Sequence, residues 1–240
     1  MERPFYINPA IYNLRNCTNG YEDALVHRIA ITLSATLSLL GTSVIIGTFI
    51  AWRDYRSTSR RILVYISVAD FLIAGGYLTG AWQNDHGDGG IVLCKAQSFV
   101  STTASLWSFF WTTFLAIYLY VTIVRKQRDK AETLLKAFHF IAWGIPLILV
   151  GTAFGLGKLG NHRDFLPYYT SGWCWIDYRL SFGDRLLWIL LTGKAWEVTA
   201  YVLCFVFHFA LKCHIRKQVR ICALQFFLLL GGDARHMRGI

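Results

Sequence analysis

The sequence predicts an all-α membrane protein of five spans, and three observations carry that reading. Apolar runs of about twenty residues or more recur along the chain, the length an α-helix needs to cross a bilayer's hydrocarbon core. Hydrophobic residues make up 55% of the 240, with nine tryptophans and a mean hydropathy of +0.40, a composition suited to lipid rather than water. Basic residues punctuate the apolar runs instead of gathering in one patch. The formal charge of +10 therefore reads as membrane-flanking charge, and nucleic acid is not an expected partner.

Residues 1–28 read as a short polar head. Glu2, Arg3, Arg15, Glu22, Asp23 and Arg28 leave no apolar core for a signal peptide, so the first span is expected to serve as the targeting signal. Asn16-Cys17-Thr18 fits the acceptor tripeptide for N-glycosylation. Such tripeptides are common by chance, and the expected outer location of Asn16 is what favours its use.

The bundle is expected over residues 29–211. Ile29–Trp52 forms span one, with Ala35, Ser38, Gly41, Thr42 and Gly47 small enough for close helix approach. Span two, Ile62–Trp82, carries Asp70 within SVADFL. A carboxylate at that depth is costly unless it faces the bundle or water, so Asp70 is either a functional group or a hydrogen-bonded packing residue. A polar, glycine-rich connection leads to Cys94 and span three, about Ala96–Val124. Its outer half, SFVSTTASLWSFFWTT, is poor lipid-facing material and suits a central helix touched on several sides.

Span four begins at Phe138 and holds Pro146, which a membrane helix tolerates when neighbours satisfy the freed carbonyl. The connection that follows closes with GWCWI at Gly172–Ile176, where Cys174 sits between Trp173 and Trp175. Span five, Leu186–Leu211, contains Lys194 and Glu197. Spaced i,i+3, they share one helix face, with Tyr201 one turn on. That face is expected to point inward, as a self-satisfied pair or as a ligand contact. Residues 212–240 form a basic segment with a short apolar tail, and Ile221–Leu230 is too short to span.

Lys and Arg set the orientation. Thirteen lie in the connections after spans one, three and five: Arg53, Arg56, Arg60 and Arg61; Arg125, Lys126, Arg128, Lys130 and Lys136; Lys212, Arg216, Lys217 and Arg220. The opposite side has eight, balanced by eight carboxylates. The N-terminus is expected outside and the C-terminus in the cytoplasm. Cys94 and Cys174 then share the oxidising side, as a disulfide or as free thiols.

Enzyme chemistry is not expected. The six cysteines and seven histidines show no metal-ligand spacing, and there is no nucleophile elbow or phosphate-cradling glycine loop. No cofactor motif is present. A transporter would show pseudo-symmetric halves with broken helices at matching positions, and neither is visible.

Taken in order, SVADFL, Cys94, the TIVR run at the base of span three, Trp143-Gly144-x-Pro146 and GWCWI resemble a G-protein-coupled receptor. The span-four and loop motifs are similar to those of secretin-like receptors and, still more, of the cyclic-AMP-receptor-like group, in which LLTGKAWE at Leu190–Glu197 also has a counterpart. The resemblance covers about residues 24–210. It implies a seven-transmembrane-receptor-type helical bundle represented here by five spans, a Cys94–Cys174 disulfide, and a structural role for Trp143, Gly144 and Pro146. It also implies an outer pocket lined by Trp107, Trp111, Trp173, Trp175, Lys194 and Glu197. Arg125, Lys126, Arg216 and Lys217 would face a heterotrimeric G protein. The hormone-binding domain of secretin-like receptors has no counterpart in the head, so a small extracellular ligand is expected.

Such receptors have seven spans, and their sixth moves on activation. The tail from about Cys222 does not resemble a sixth span. The expectation is a plasma-membrane receptor that transmits an extracellular ligand signal to a heterotrimeric G protein, represented here by five spans. The alternative is a truncated form that does not signal by itself and acts as a polytopic interaction or modulator protein, whose exposed polar faces offer a surface to another copy.

Overall fold

The computed structural model describes residues 14–52, 57–82, 88–160, 174–177 and 179–236, with side chains described for all of these but 14–24, 88–91 and 222–236. Among them, five helical stretches are long and apolar enough to cross a membrane, as the hydropathy pattern predicts. Helix α1 runs Leu14–Ala51, α2 Thr58–Ala81 and α3 Asp88–Leu119; α3 continues into a π-helical turn at Tyr120–Val124. Helix α4 follows at Arg128–Gly155. Strands β1 (Leu159–Gly160) and β2 (Trp175–Ile176) form an antiparallel pair, and span five is made of α5 (Phe182–Ile189), a second π turn (Leu190–Lys194) and α6 (Ala195–His236).

Several helices outrun the apolar stretches that announced them, α3 among them, since it starts at Asp88 inside the connection expected to precede it. Helix α1 starts at Leu14, inside the stretch read as a polar head. Helix α4 starts at Arg128, within the basic linker, and α6 continues unbroken from the fifth span to His236. Hydropathy marks where lipid begins. Helix ends are set by breakers and caps, and neither Pro nor Gly interrupts α6 before Gly231.

Helix α3 is the centre, packed against α2, α4, α6 and both strands. Its polar outer half is accordingly buried: Ser98, Ser101, Thr102 and Thr103 are all inside. Ser101, Ser105 and Thr113 each donate a hydroxyl to the carbonyl four residues back, which keeps these hydroxyls satisfied within the helix. Trp107, Trp111, Phe114 and Tyr118 lie on one face of α3 at helical spacing. There they meet Ile62 and Tyr65 of α2 and Phe138, Ala142 and Trp143 of α4. A second cluster nearer the strands joins Leu106, Val150, Ala153, Leu159 and Ile176. Helices α2 and α3 approach closely at Gly76, where a Cβ would stand 3.1 Å from that of Ser101.

Pro146 is buried within α4 and the helix runs through it. The Trp107 indole N–H reaches the neighbouring Trp143 carbonyl at 3.4 Å, and the two rings meet edge to face. Trp143 thus sits at the α3–α4 contact, while a Cβ on Gly144 would meet nothing within 4 Å.

Candidate functional site

The site is built around the β1–β2 hairpin and the outer part of α3. Cys94 and Cys174, 80 residues apart, are joined as a disulfide with their Cα atoms 5.5 Å apart. Two hydrogen bonds add to that tether. The Cys174 amide donates to Gln97 Oε1 at 2.9 Å, and Ser98 Oγ donates to the Trp175 carbonyl at 2.7 Å. A strand of two residues cannot hold a position by ladder bonds. The covalent bond and the side chains of α3 fix it instead.

This seating aims Trp175 at span five. A Cβ on Gly193 would lie 2.9 Å from Trp175 Cζ2, so the indole rests against the glycine with no room for a side chain. Gly193 falls in the π turn, where the Ala195 amide bonds back to the Leu190 carbonyl and the Trp196 indole donates to the Leu191 carbonyl at 2.8 Å. Such turns recur at functional sites because they displace side chains from the regular spiral. Trp175, Ile189 and Trp196 then pack on the cluster of Leu106 and Ile176.

The next residue is Lys194. Its Nζ bonds Glu197 Oε2 at 2.7 Å, and the Tyr201 hydroxyl donates to Glu197 Oε1 at 3.2 Å. The i,i+3 spacing brings the pair together as the sequence predicts. The Lys194 side chain remains 54% exposed and that of Glu197 25%. Tyr77 of α2 lies within electrostatic range of both. Chemically, the group offers an ammonium, a carboxylate and a phenol.

The structure divides the residues the sequence singled out for a pocket. Trp175 rests on Gly193, the chain neighbour of Lys194, and Lys194 pairs with Glu197. Trp107 and Trp111 do not join them. Trp111 is fully buried, with Tyr65, His139 and Trp143 around its ring at centroid distances of 4.7, 4.9 and 5.7 Å. Trp107 faces Trp143. Both therefore serve the contact with α4, because their shared helix face points there. Trp173 lies outside the described residues, as does the side chain of Asn16.

Asp70 lines a groove of about 640 Å³ between α1 and α2, with His27, Ser34, Ser38 and Tyr77. One carboxylate oxygen accepts from Ser108 Oγ of α3 at 2.8 Å. At the other end, Arg125, Lys126, Arg216 and Lys217 are exposed. The Tyr120–Phe207 ring contact at 5.4 Å brings the π turn of α3 against α6, which places both basic pairs at one end of the bundle. Lys126 holds φ at +54°, an unfavourable conformation for a residue with a Cβ.

Gln97, Ser98, Ser108 and Gly193 escaped the sequence reading. Gln97 and Ser98 follow Cys94 by three and four residues, one turn along the same face, and that spacing was the available signal. Gly193 stood in an otherwise apolar run beside Lys194, a second signal.

The family description that matches residues 24–223 is the seven-transmembrane receptor of the secretin family. G-protein coupled receptor 157 of Homo sapiens is 41% identical over 191 residues, which cover 79% of this chain and 55% of that relative. G-protein coupled receptor 1 of Arabidopsis thaliana is 28% identical over 171 residues, 71% of this chain and 47% of the relative. Cyclic AMP receptor-like protein A of Dictyostelium discoideum is 26% identical over 157 residues, 65% of this chain and 38% of the relative. The chain spans about half the length of the curated relatives it matches. With five membrane-crossing helices, a disulfide-held hairpin on the third and this match over most of its length, the chain belongs to the secretin family of seven-transmembrane receptors.

Proposed function

We propose that the chain is the ligand-receiving part of a G-protein-coupled receptor of the plasma membrane, passing an extracellular signal to a heterotrimeric G protein. The observation that carries this reading is the seating of Trp175 on Gly193, next to Lys194 and Glu197. It puts an aromatic ring against the turn that carries Lys194 of the Lys194–Glu197 pair. A small polar ligand would exchange its own charges for those of the Lys194–Glu197 pair, and so bias the π turn on which Trp175 rests. The hairpin end faces outside and the basic end the cytoplasm, in keeping with the thirteen basic residues of the expected inner connections. Arg125, Lys126, Arg216 and Lys217 would then meet the G protein, and Asn16 would carry sugar.

The test is a chimera in which residues 24–210 replace the matching part of the human relative. Basal nucleotide exchange on a purified G protein is the readout, with a glycosidase assay of Asn16 and a C-terminal tag to fix the topology. Exchange that survives the graft and falls on Arg125→Ala/Lys126→Ala supports the reading. Robust exchange by the 240-residue chain itself would sink the idea that further spans are required.

A second reading is favoured by the exposure of Lys194, Glu197 and Tyr201 on a membrane helix. Polar groups so placed attract a partner helix. In that case the chain binds and modulates another receptor. Co-purification with a full-length family member, lost in Lys194→Leu/Glu197→Leu, distinguishes it.

A further inference from the structure

The basic end of the bundle carries a second groove between α1 and α2, separate from the one that holds Asp70. Its volume is about 700 Å³, and it is lined by Ile45, Thr48, Phe49, Trp52, Arg60, Leu63 and Val64. The chemistry along it is graded. Ile45, Phe49, Leu63 and Val64 make an apolar trough toward the middle of the spans. Trp52 and Arg60 stand at its mouth, one at the end of α1 and the other in the first turn of α2.

We propose that this groove binds one anionic phospholipid of the bilayer, with an acyl chain along the trough and the phosphate at Arg60. Charge complementarity selects this occupant. Arg60 is followed by Arg61, also exposed, and among the described residues no carboxylate lines the groove. An acidic headgroup is favoured there over a zwitterionic one. Arg60 already has an interaction within the protein, but a guanidinium carries five N–H donors and can serve a phosphate as well. The same mouth holds the N-terminus of α2, whose Ser57 makes no side-chain capping bond. The positive end of that helix adds to the attraction. Trp52, 59% exposed, supplies the amphipathic ring that settles at headgroup depth. A second copy of the chain would bring another basic end and so repel.

This inference does not depend on the receptor reading, since it concerns lipid at a groove whatever the ligand or signal. The whole chain is reconstituted in symmetric vesicles, so that either insertion direction presents the same lipid. Brominated acyl chains quench tryptophan on contact, and the Trp52 component is the difference between the protein and Trp52→Phe. Brominated phosphatidylserine is expected to quench that component several-fold more than brominated phosphatidylcholine at equal mole fraction. Arg60→Gln should level the two while Arg60→Lys retains part of the difference. Raising salt from about 0.1 to 1 M shortens the screening length from about 10 to 3 Å and should shrink the preference without any mutation. Equal quenching by the two lipids, or a preference that survives both Arg60→Gln and high salt, would overturn the proposal. So would a crosslinked dimer that shields Trp52 from both brominated lipids, which would assign the groove to a second copy.

Discussion

The α2–α3–α4 side of the bundle and its α6 flank use the same residue types to opposite effect. On the first, Trp111, Phe114 and Phe138 are enclosed, and the last two rings stack at 4.0 Å. On the second, Phe205 and Phe209 approach each other at 6.1 Å and stay largely exposed. Both stretches are apolar and aromatic, and hydropathy does not separate them. The difference lies in what is opposite. Helix–helix association in lipid rests on close packing and hydrogen bonds rather than on escape from water. Aromatic side chains add to stability only where rings of neighbouring helices interlock.

The largest effect expected from this contrast is on Trp111. Trp111→Ala empties a site that its neighbours cannot refill, and should cost on the order of 3–5 kcal/mol, read as the unfolding free energy in mixed micelles. Phe205→Ala, by the same measurement, should stay within about 0.5 kcal/mol. Equal losses at the two positions would break the comparison.

Next comes the tether. Cys94→Ser removes a cross-link closing a long loop and should cost about 2–4 kcal/mol. The hairpin should then become sensitive to protease while the Trp111 cluster keeps its fluorescence. Gly193→Ala sharpens the contrast on the flank: the new methyl group meets the Trp175 ring, with an expected cost of about 1–3 kcal/mol and a shift in Trp175 emission. The same change at Gly144, where a Cβ meets nothing, should be neutral. The smallest effect is a gain. Lys126→Gly relieves the left-handed backbone and should stabilise by about 1 kcal/mol or less, visible as a slightly raised midpoint in thermal unfolding.

Much of this architecture is legible in the residues. Five spans, the shared side of Cys94 and Cys174, the buried polar half of α3 and the Lys194–Glu197 pairing all follow from runs, spacing and charge. The helix ends of α1, α3, α4 and α6 do not, because hydropathy is blind to helix outside lipid. Nor does the sorting of tryptophans. Trp111 and Trp175 look alike in a sequence, yet one faces α4 and the other a glycine on span five. That choice is made by how α3 is rotated against its neighbours, which is tertiary information. The partner of Asp70 shows the same limit: Ser108 is one of many serines in α3, and only packing selects it.

The π turn at Leu190–Lys194 has a consequence for span five as a whole. An α-helix advances about 100° per residue, so the one additional residue held in the wide turn puts α6 out of phase with α5 by about that angle. Span five therefore presents two differently oriented faces, and Lys194, Glu197 and Tyr201 point where they do only while the turn stays wide. Tightening it to an α turn would slip the helix by one residue and swing the ammonium and carboxylate around the axis without unfolding anything. Trp175 rests on the glycine of that turn.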